Sequence, residues 1–186
     1  IDPVLIDKND PRTDKEQFKA FVDACHAKGL RVMVDMPSCA SLDLYLKRPE
    51  IMAHERNGLP KTPQGWFDIR MFQPWEDEGK RILNRDLLEY HKKFIDMIVS
   101  LGADGLRADV ATLKPYEFWK ELISYTRSKE PNFMFLAEAS NKWTSSACKQ
   151  CEFTAYDKLL EAGFDGYYGS FFNLKDYIND NEDIII

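Results

Sequence analysis

Cysteine is scarce: Cys25, Cys39, Cys148 and Cys151 are the four among 186 residues. That is too few for a disulfide-stapled scaffold of this length. Cys148-x-x-Cys151 has the spacing of a zinc or redox pair, but a structural zinc needs a second pair of ligands. Neither the other cysteines nor His26, His54 and His91 supply one, so no metal is expected. Basic charge is also short, with 25 Lys and Arg against 31 Asp and Glu and a net charge of −6. Such a balance argues against nucleic acid, whose affinity rests on cationic neutralisation of phosphates, and against an anionic membrane surface. No apolar run approaches the roughly 18–20 residues of a membrane span. Neither G-x-G-x-x-G nor a P-loop glycine pattern follows any apparent strand, so no nucleotide and no cofactor is expected. A D-x-[DN]-x-[DN]-G calcium loop is lacking too, and no repeat or low-complexity tract is visible.

What is there is an ordinary globular composition, 44% hydrophobic and 13% aromatic, enough for a real core. The chain opens on Ile1 rather than methionine and closes on Ile184, Ile185 and Ile186. It is expected to be a piece of something longer.

Along the chain, helical and strand patterns alternate. Thr13 followed by Glu16 has the form of a capping box, and Phe18, Phe21, Val22 and Cys25 then recur at helical spacing up to Gly29. Leu30 to Asp35 reads as a short buried strand. From Met36 to about Leu83 the pattern breaks. This stretch holds Pro37, Pro49, Pro60, Pro63 and Pro74, and also Trp66, Phe67, Phe72 and Trp75. A linker would not carry so many aromatics, so an excursion or small subdomain is expected. Such aromatics are more commonly the core of a small subdomain than a stacking surface for a ligand.

A second helix is expected from about Asp86 to Leu101, bearing Leu87, Phe94, Ile95, Ile98 and Leu101 on one face. Residues 103–109 follow as a strand. A third helix starts near Pro115 with Phe118, Trp119, Leu122 and Ile123 as its stripe. Phe133 to Ala137 is the next strand, ending at Glu138. A helix over about Ala155 to Ala162, a strand over Phe164 to Tyr168 and the start of a helix over Leu174 to Ile178 complete the series. Such alternation implies parallel strands, in a doubly wound sheet or a (β/α)8 barrel. A whole barrel takes about 250 residues, so the chain supplies only about four strands. The remainder of a barrel, or another chain, is expected to cover the open strand edges and the apolar face this leaves.

Three of the strands end in carboxylates: Asp35, Asp109 and Glu138. The carboxyl ends of parallel strands form the active face of such folds, so the three converge. Any one of them alone is more commonly a helix cap or a solvated loop acid. Arg107 and Asp109 lie two apart and point to one face, with Ala103 and Gly105 leaving room beside them. A guanidinium beside a carboxylate favours its ionised form, which suits a nucleophile. Glu138 sits among Leu136, Ala137 and Ala139, and apolar neighbours suit a general acid. The pair matches the arrangement of a retaining glycosidase.

Gly105-Leu106-Arg107-Ala108-Asp109 resembles the G-[FIL]-R-x-D motif on the fourth barrel strand of the alpha-amylase superfamily, glycoside hydrolase family 13. Phe135 to Ala139 is similar to that family's fifth-strand motif, Leu30 to Asp35 to its third-strand motif, and Thr13 to Phe18 to the opening of its second helix. Asn84 and Asp86 fit as well. The resemblance implies an incomplete (β/α)8 TIM barrel segment, about strands 3 to 6. Residues 1–35 and 84–186 would be barrel, and residues 36–83 a domain-B-like excursion after the first strand. It implies Asp109 as nucleophile and Glu138 as acid/base. Arg107 would orient Asp109, Asp35 would hold Arg107, and the pair would help to bind substrate. The substrate implied is an α-1,4-glucan or malto-oligosaccharide.

The chain departs from the family pattern in places. Cys39 and Ala40 stand where the family has Asn-His, and Thr112 and Leu113 where many amylases have Lys-His. Thr112-Leu113-Lys114-Pro115 with Phe118-Trp119 looks instead like the maltosyl-transferring branch. The family's third carboxylate has no counterpart before Ile186. Transfer rather than hydrolysis, and a non-catalytic amylase-like module, are therefore carried as alternatives. A Schiff-base enzyme built on Lys114 or Lys142 is disfavoured, because both lysines read as solvated. Lys114 could otherwise meet an anionic donor group. Tyr167 and Tyr168 either line the pocket or pack, His54 has no partner at motif spacing, and His91 reads as surface or a satisfied interior group.

Overall fold

Thr13 opens the first helix as its composition demands. Its hydroxyl accepts from the Glu16 amide, and the Glu16 carboxylate accepts from the Thr13 amide at 2.7 Å. This closes the capping box at the head of α1 (Asp14–His26). The computed structural model describes residues 6–63, 65–139 and 156–168. Cys148, Cys151, Lys142 and the expected helix at Leu174 to Ile178 lie outside them.

Gly29, at φ 74°, turns the chain out of α1 toward β1 (Met33–Met36). Next come β2 (Cys39–Ser41), α2 (Leu42–Lys47), a 3₁₀ turn at Pro49–Ile51, β3 (Ile69–Met71), β4 (Trp75–Asp77) and β5 (Ile82–Leu83). The long α3 (Arg85–Ser100) is capped by Asn84, whose side chain accepts from the Leu87 amide. β6 (Gly105–Ala108), a 3₁₀ turn at Ala111–Leu113, α4 (Tyr116–Lys129), β7 (Met134–Glu138), α5 (Tyr156–Ala162) and β8 (Gly166–Tyr168) follow. Pro115 is the N-cap of α4 rather than its first helical residue.

Four strands form one parallel sheet in the order β1-β6-β7-β8. The register aligns Met33, Gly105 and Met134 in one row. Asp35, Arg107, Leu136 and Gly166 form the next, with Glu138 beside Tyr168 above it. Alternation puts all of these on one face. The opposite face carries Met36, Leu106, Ala108, Phe135 and Ala137, all buried. Leu87, Leu88, Ile95 and Ile98 of α3 and Phe118, Trp119, Leu122 and Ile123 of α4 join them in one core. Each such side chain, fully buried, contributes roughly 1.5–3 kcal/mol. His91 lies in that core. Its Nδ1–H donates to the Leu87 carbonyl at 2.9 Å and its ring stands edge-on to Phe72 and Phe118.

Two expectations need correcting. The strand expected at Leu30 to Asp35 is shorter and largely exposed, because β1 is an edge of the sheet and its functional face is uncovered among the described residues. Gly105 does not leave free room. A Cβ there would lie 2.8 Å from the Met134 carbonyl oxygen, so glycine is what lets β6 and β7 approach at that row.

Residues 36–83 carry two antiparallel pairs, β2-β3 and β4-β5. Ile51, Met52, Phe72, Trp75 and Leu83 pack into the main core rather than a separate one. Phe72 and Trp75 are buried, whereas Trp66 and Phe67 are exposed. The four aromatics thus split by sequence position into core and surface.

Candidate active site

The carboxyl ends of β1, β6, β7 and β8 bring Asp35, Arg107, Glu138 and Tyr168 together, with Asp109 one residue past β6. Arg107 is the hub. Nη1 donates to Asp35 and, at 3.1 Å, to Asp109, while Nη2 pairs with Glu138 Oε2 at 2.7 Å. Nε donates to the Tyr168 hydroxyl at 2.5 Å. Every arm of the planar guanidinium is engaged, a geometry that lysine cannot reproduce. Burial alone would lower the Arg107 pKa. The hydrogen bonds it donates to Asp35 and Tyr168 and the charge of Glu138 outweigh this and raise it further above the usual range.

One guanidinium ringed by three carboxylates leaves an excess of negative charge. Glu138 is the least exposed of the three, with 16% of its side chain accessible against 36% for Asp109 and 53% for Asp35. Burial pushes the Glu138 carboxyl up. A hydrogen bond from the Val110 amide at 3.0 Å opposes this, and the neighbouring Asp109 adds to it. Glu138 thus holds a proton more readily than an exposed glutamate.

Asp109 is fixed through its own backbone. Its amide donates to the Met36 carbonyl at 3.1 Å, and its carbonyl accepts from the hydroxyl of Ser38, itself buried. The next residue, Val110, has φ 39° and ψ 59°. This left-handed conformation is rare for a β-branched residue and is a form of strain found at functional sites. It points the Val110 amide at Glu138.

Lys114 requires a correction. The expectation of a solvated helix-start lysine fails, because the side chain is 1% exposed. Its Nζ donates to the Ser38 carbonyl at 3.3 Å and lies 5.1, 5.8 and 5.7 Å from the ring centroids of Phe72, Phe118 and Trp119. Burial pulls its pKa down to about 8, against the opposing influence of the nearby Cys39 and Asp109. Burial likewise pushes the Cys39 thiol up to about 11. Both effects follow from cost of charge away from water.

Sequence reasoning did not assign Ser38 or Val110 to the site and left Tyr168 between lining and packing. Only the strand spacing could have indicated Tyr168, since it ends the strand next to that of Glu138. Among the described residues no group of three or more His, Cys, Asp or Glu side chains is placed to hold a metal ion.

No family model matches the chain. It is 28% identical over 142 residues to a cyclomaltodextrinase of a Bacillus species, covering 67% of this chain and 25% of that protein. It is 26% identical over 189 residues to the alpha-1,4-glucan:maltose-1-phosphate maltosyltransferase of Bifidobacterium longum, covering 90% of this chain and 24% of that protein. The chain therefore spans about a quarter of the length of the curated relatives it matches. Among solved structures, an alpha-amylase from Lactobacillus plantarum superposes with a TM-score of 0.70 at 28% identity, covering 89% of this chain and 38% of that one. With that likeness over a parallel sheet whose strand ends carry the arginine and the acids, the chain is similar to proteins of the alpha-amylase superfamily, glycoside hydrolase family 13, with a maltosyltransferase among them.

Proposed function

We propose that the protein to which these residues belong makes or breaks α-1,4-glucosidic bonds by a retaining double displacement. The observation that carries the reading is the pairing of Asp109 and Glu138 on one guanidinium, with burial raising the Glu138 pKa. Asp109 attacks the anomeric carbon as Glu138 protonates the departing glycosidic oxygen. Glu138 then takes a proton from the incoming acceptor as it displaces Asp109. Arg107, held by Asp35 and Tyr168, fixes the nucleophile. Both carboxyls are held on the one Arg107 guanidinium, which supports a close pair of the retaining kind over the about 6.5–9.5 Å separation of an inverting enzyme. Residues 36–83 are the excursion that would wall one side of the cleft.

The test is covalent trapping. A 2-deoxy-2-fluoro or 5-fluoro glycosyl fluoride should leave a glycosyl ester on Asp109, seen by peptide mass spectrometry. Its absence, or activity that survives both Asp109→Asn and Glu138→Gln, would leave a non-catalytic amylase-like module as the better reading.

Transfer to a sugar acceptor, rather than to water, is the second reading. It is supported by the maltosyltransferase of Bifidobacterium longum, which matches along 90% of the chain, and by Thr112-Leu113-Lys114-Pro115. The burial of Lys114 removes it as a direct partner for an anionic donor. Chain-length analysis decides between the two: transfer yields products longer than the substrate, hydrolysis only shorter ones.

A further inference from the structure

Lys114 is among the largest fully buried side chains, in a place where methionine or leucine would fill similar space without the cost of desolvating an ammonium. A lysine there is explained by what its head group holds. Nζ donates to the carbonyl of Ser38. The hydroxyl of the same Ser38 donates to the backbone carbonyl of Asp109, while the Asp109 amide donates to Met36. The turn between β1 and β2 thus grips the Asp109 main chain on both sides, and Lys114 grips that turn from within the core. Phe72, Phe118 and Trp119 confine the ammonium, so it has little freedom to leave the Ser38 carbonyl.

We propose that Lys114 is a positioning residue for Asp109, acting through Ser38 on the main chain that carries the nucleophilic carboxylate. The ammonium never meets substrate. It keeps the β1–β2 turn in the one arrangement in which the Asp109 backbone has both partners and the Val110 amide reaches Glu138. This rests on the reading of Asp109 as nucleophile for its catalytic consequence, but not for the structural linkage itself.

The test uses Lys114→Met, which keeps the volume and removes the ammonium, together with Ser38→Ala and the double variant. Amide hydrogen exchange at Asp109 and Val110 should speed up at least tenfold in each single variant, while Leu122 and Ile123 in the middle of α4 keep their protection. Turnover of 4-nitrophenyl α-maltoside should show kcat lowered about tenfold to a hundredfold with KM changed less than twofold, as a displaced nucleophile requires. The double variant should be no worse than the poorer single one, because both cut one linkage. Unchanged exchange at Asp109 and Val110 in Lys114→Met would overturn the proposal, as would effects that multiply in the double variant. If Lys114→Met does not fold, Ser38→Ala alone must loosen the same two amides, and failure to do so refutes the linkage. A protein that turns over no α-glucoside defeats the functional reading while the exchange measurements still decide the linkage.

Discussion

Val110 is the residue where local preference and the site disagree most. A β-branched side chain at φ 39° pays a backbone penalty of about 1–2 kcal/mol, which asparagine largely avoids. Val110→Asn should therefore stabilise the fold by about 1 kcal/mol, a rise in Tm of roughly 2–4 °C for a chain of this size. The amide to Glu138 should remain in place, and thermal denaturation checks it. Glu138 carries the other residue-scale consequence. Its carboxyl titrates higher in the fold than in the unfolded chain, because burial disfavours the charged form. A raised acid leaves stability intact below its unfolded value and removes it as pH climbs through the folded one. Glu138→Gln should thus match the parent in urea denaturation near pH 4 and exceed it at pH 7. Equal midpoints at both pH values would mean that the group is not perturbed. Glu138 could be read from its apolar neighbours in the sequence, whereas Val110 could not, since nothing in the residue type announces a left-handed turn.

Elements were legible where one rule dominates. α1 follows from Thr13 and Glu16, and α4 from its stripe of Phe118, Trp119, Leu122 and Ile123, because capping and helical spacing act over a few residues. β1 departs from the expected interior strand although Leu30 to Asp35 is apolar enough for one. Burial depends on what lies on either side, and that is a tertiary fact. β6 carries an element-scale prediction. Gly105→Ala would place a Cβ against the Met134 carbonyl on β7. The strands would have to part at that row, at a cost of about 1–3 kcal/mol in chemical denaturation. Asp35 and Arg107 lie one row above, so activity should fall along with stability.

For the molecule as a whole, the governing feature is a sheet with two unlike faces. One is closed by α3 and α4, and the other carries the Arg107 cluster with Met33 and Met134 exposed below it. Leu106→Ala, on the closed face, should cost about 2–5 kcal/mol because it opens a cavity in packed surroundings. Met134→Ala, on the open face, should cost well under half as much, since solvent already reaches it. Equal losses in urea denaturation would contradict this division of the faces.

The amino-acid order by itself determined the alternation of helices and strands, the parallel class of the sheet and the placing of Asp35, Asp109 and Glu138 near strand ends. Those depend on periodicity, capping and short motifs, which are properties of neighbouring residues. Only the tertiary structure decided that Lys114 is interior, that Ser38 and Tyr168 join the Arg107 network, and that the aromatics of residues 36–83 divide between core and surface. Burial and long-range hydrogen bonds depend on which segments meet although 28 to 71 positions apart, as Glu138 meets Val110 and Ser38 meets Asp109. No local pattern encodes such a meeting.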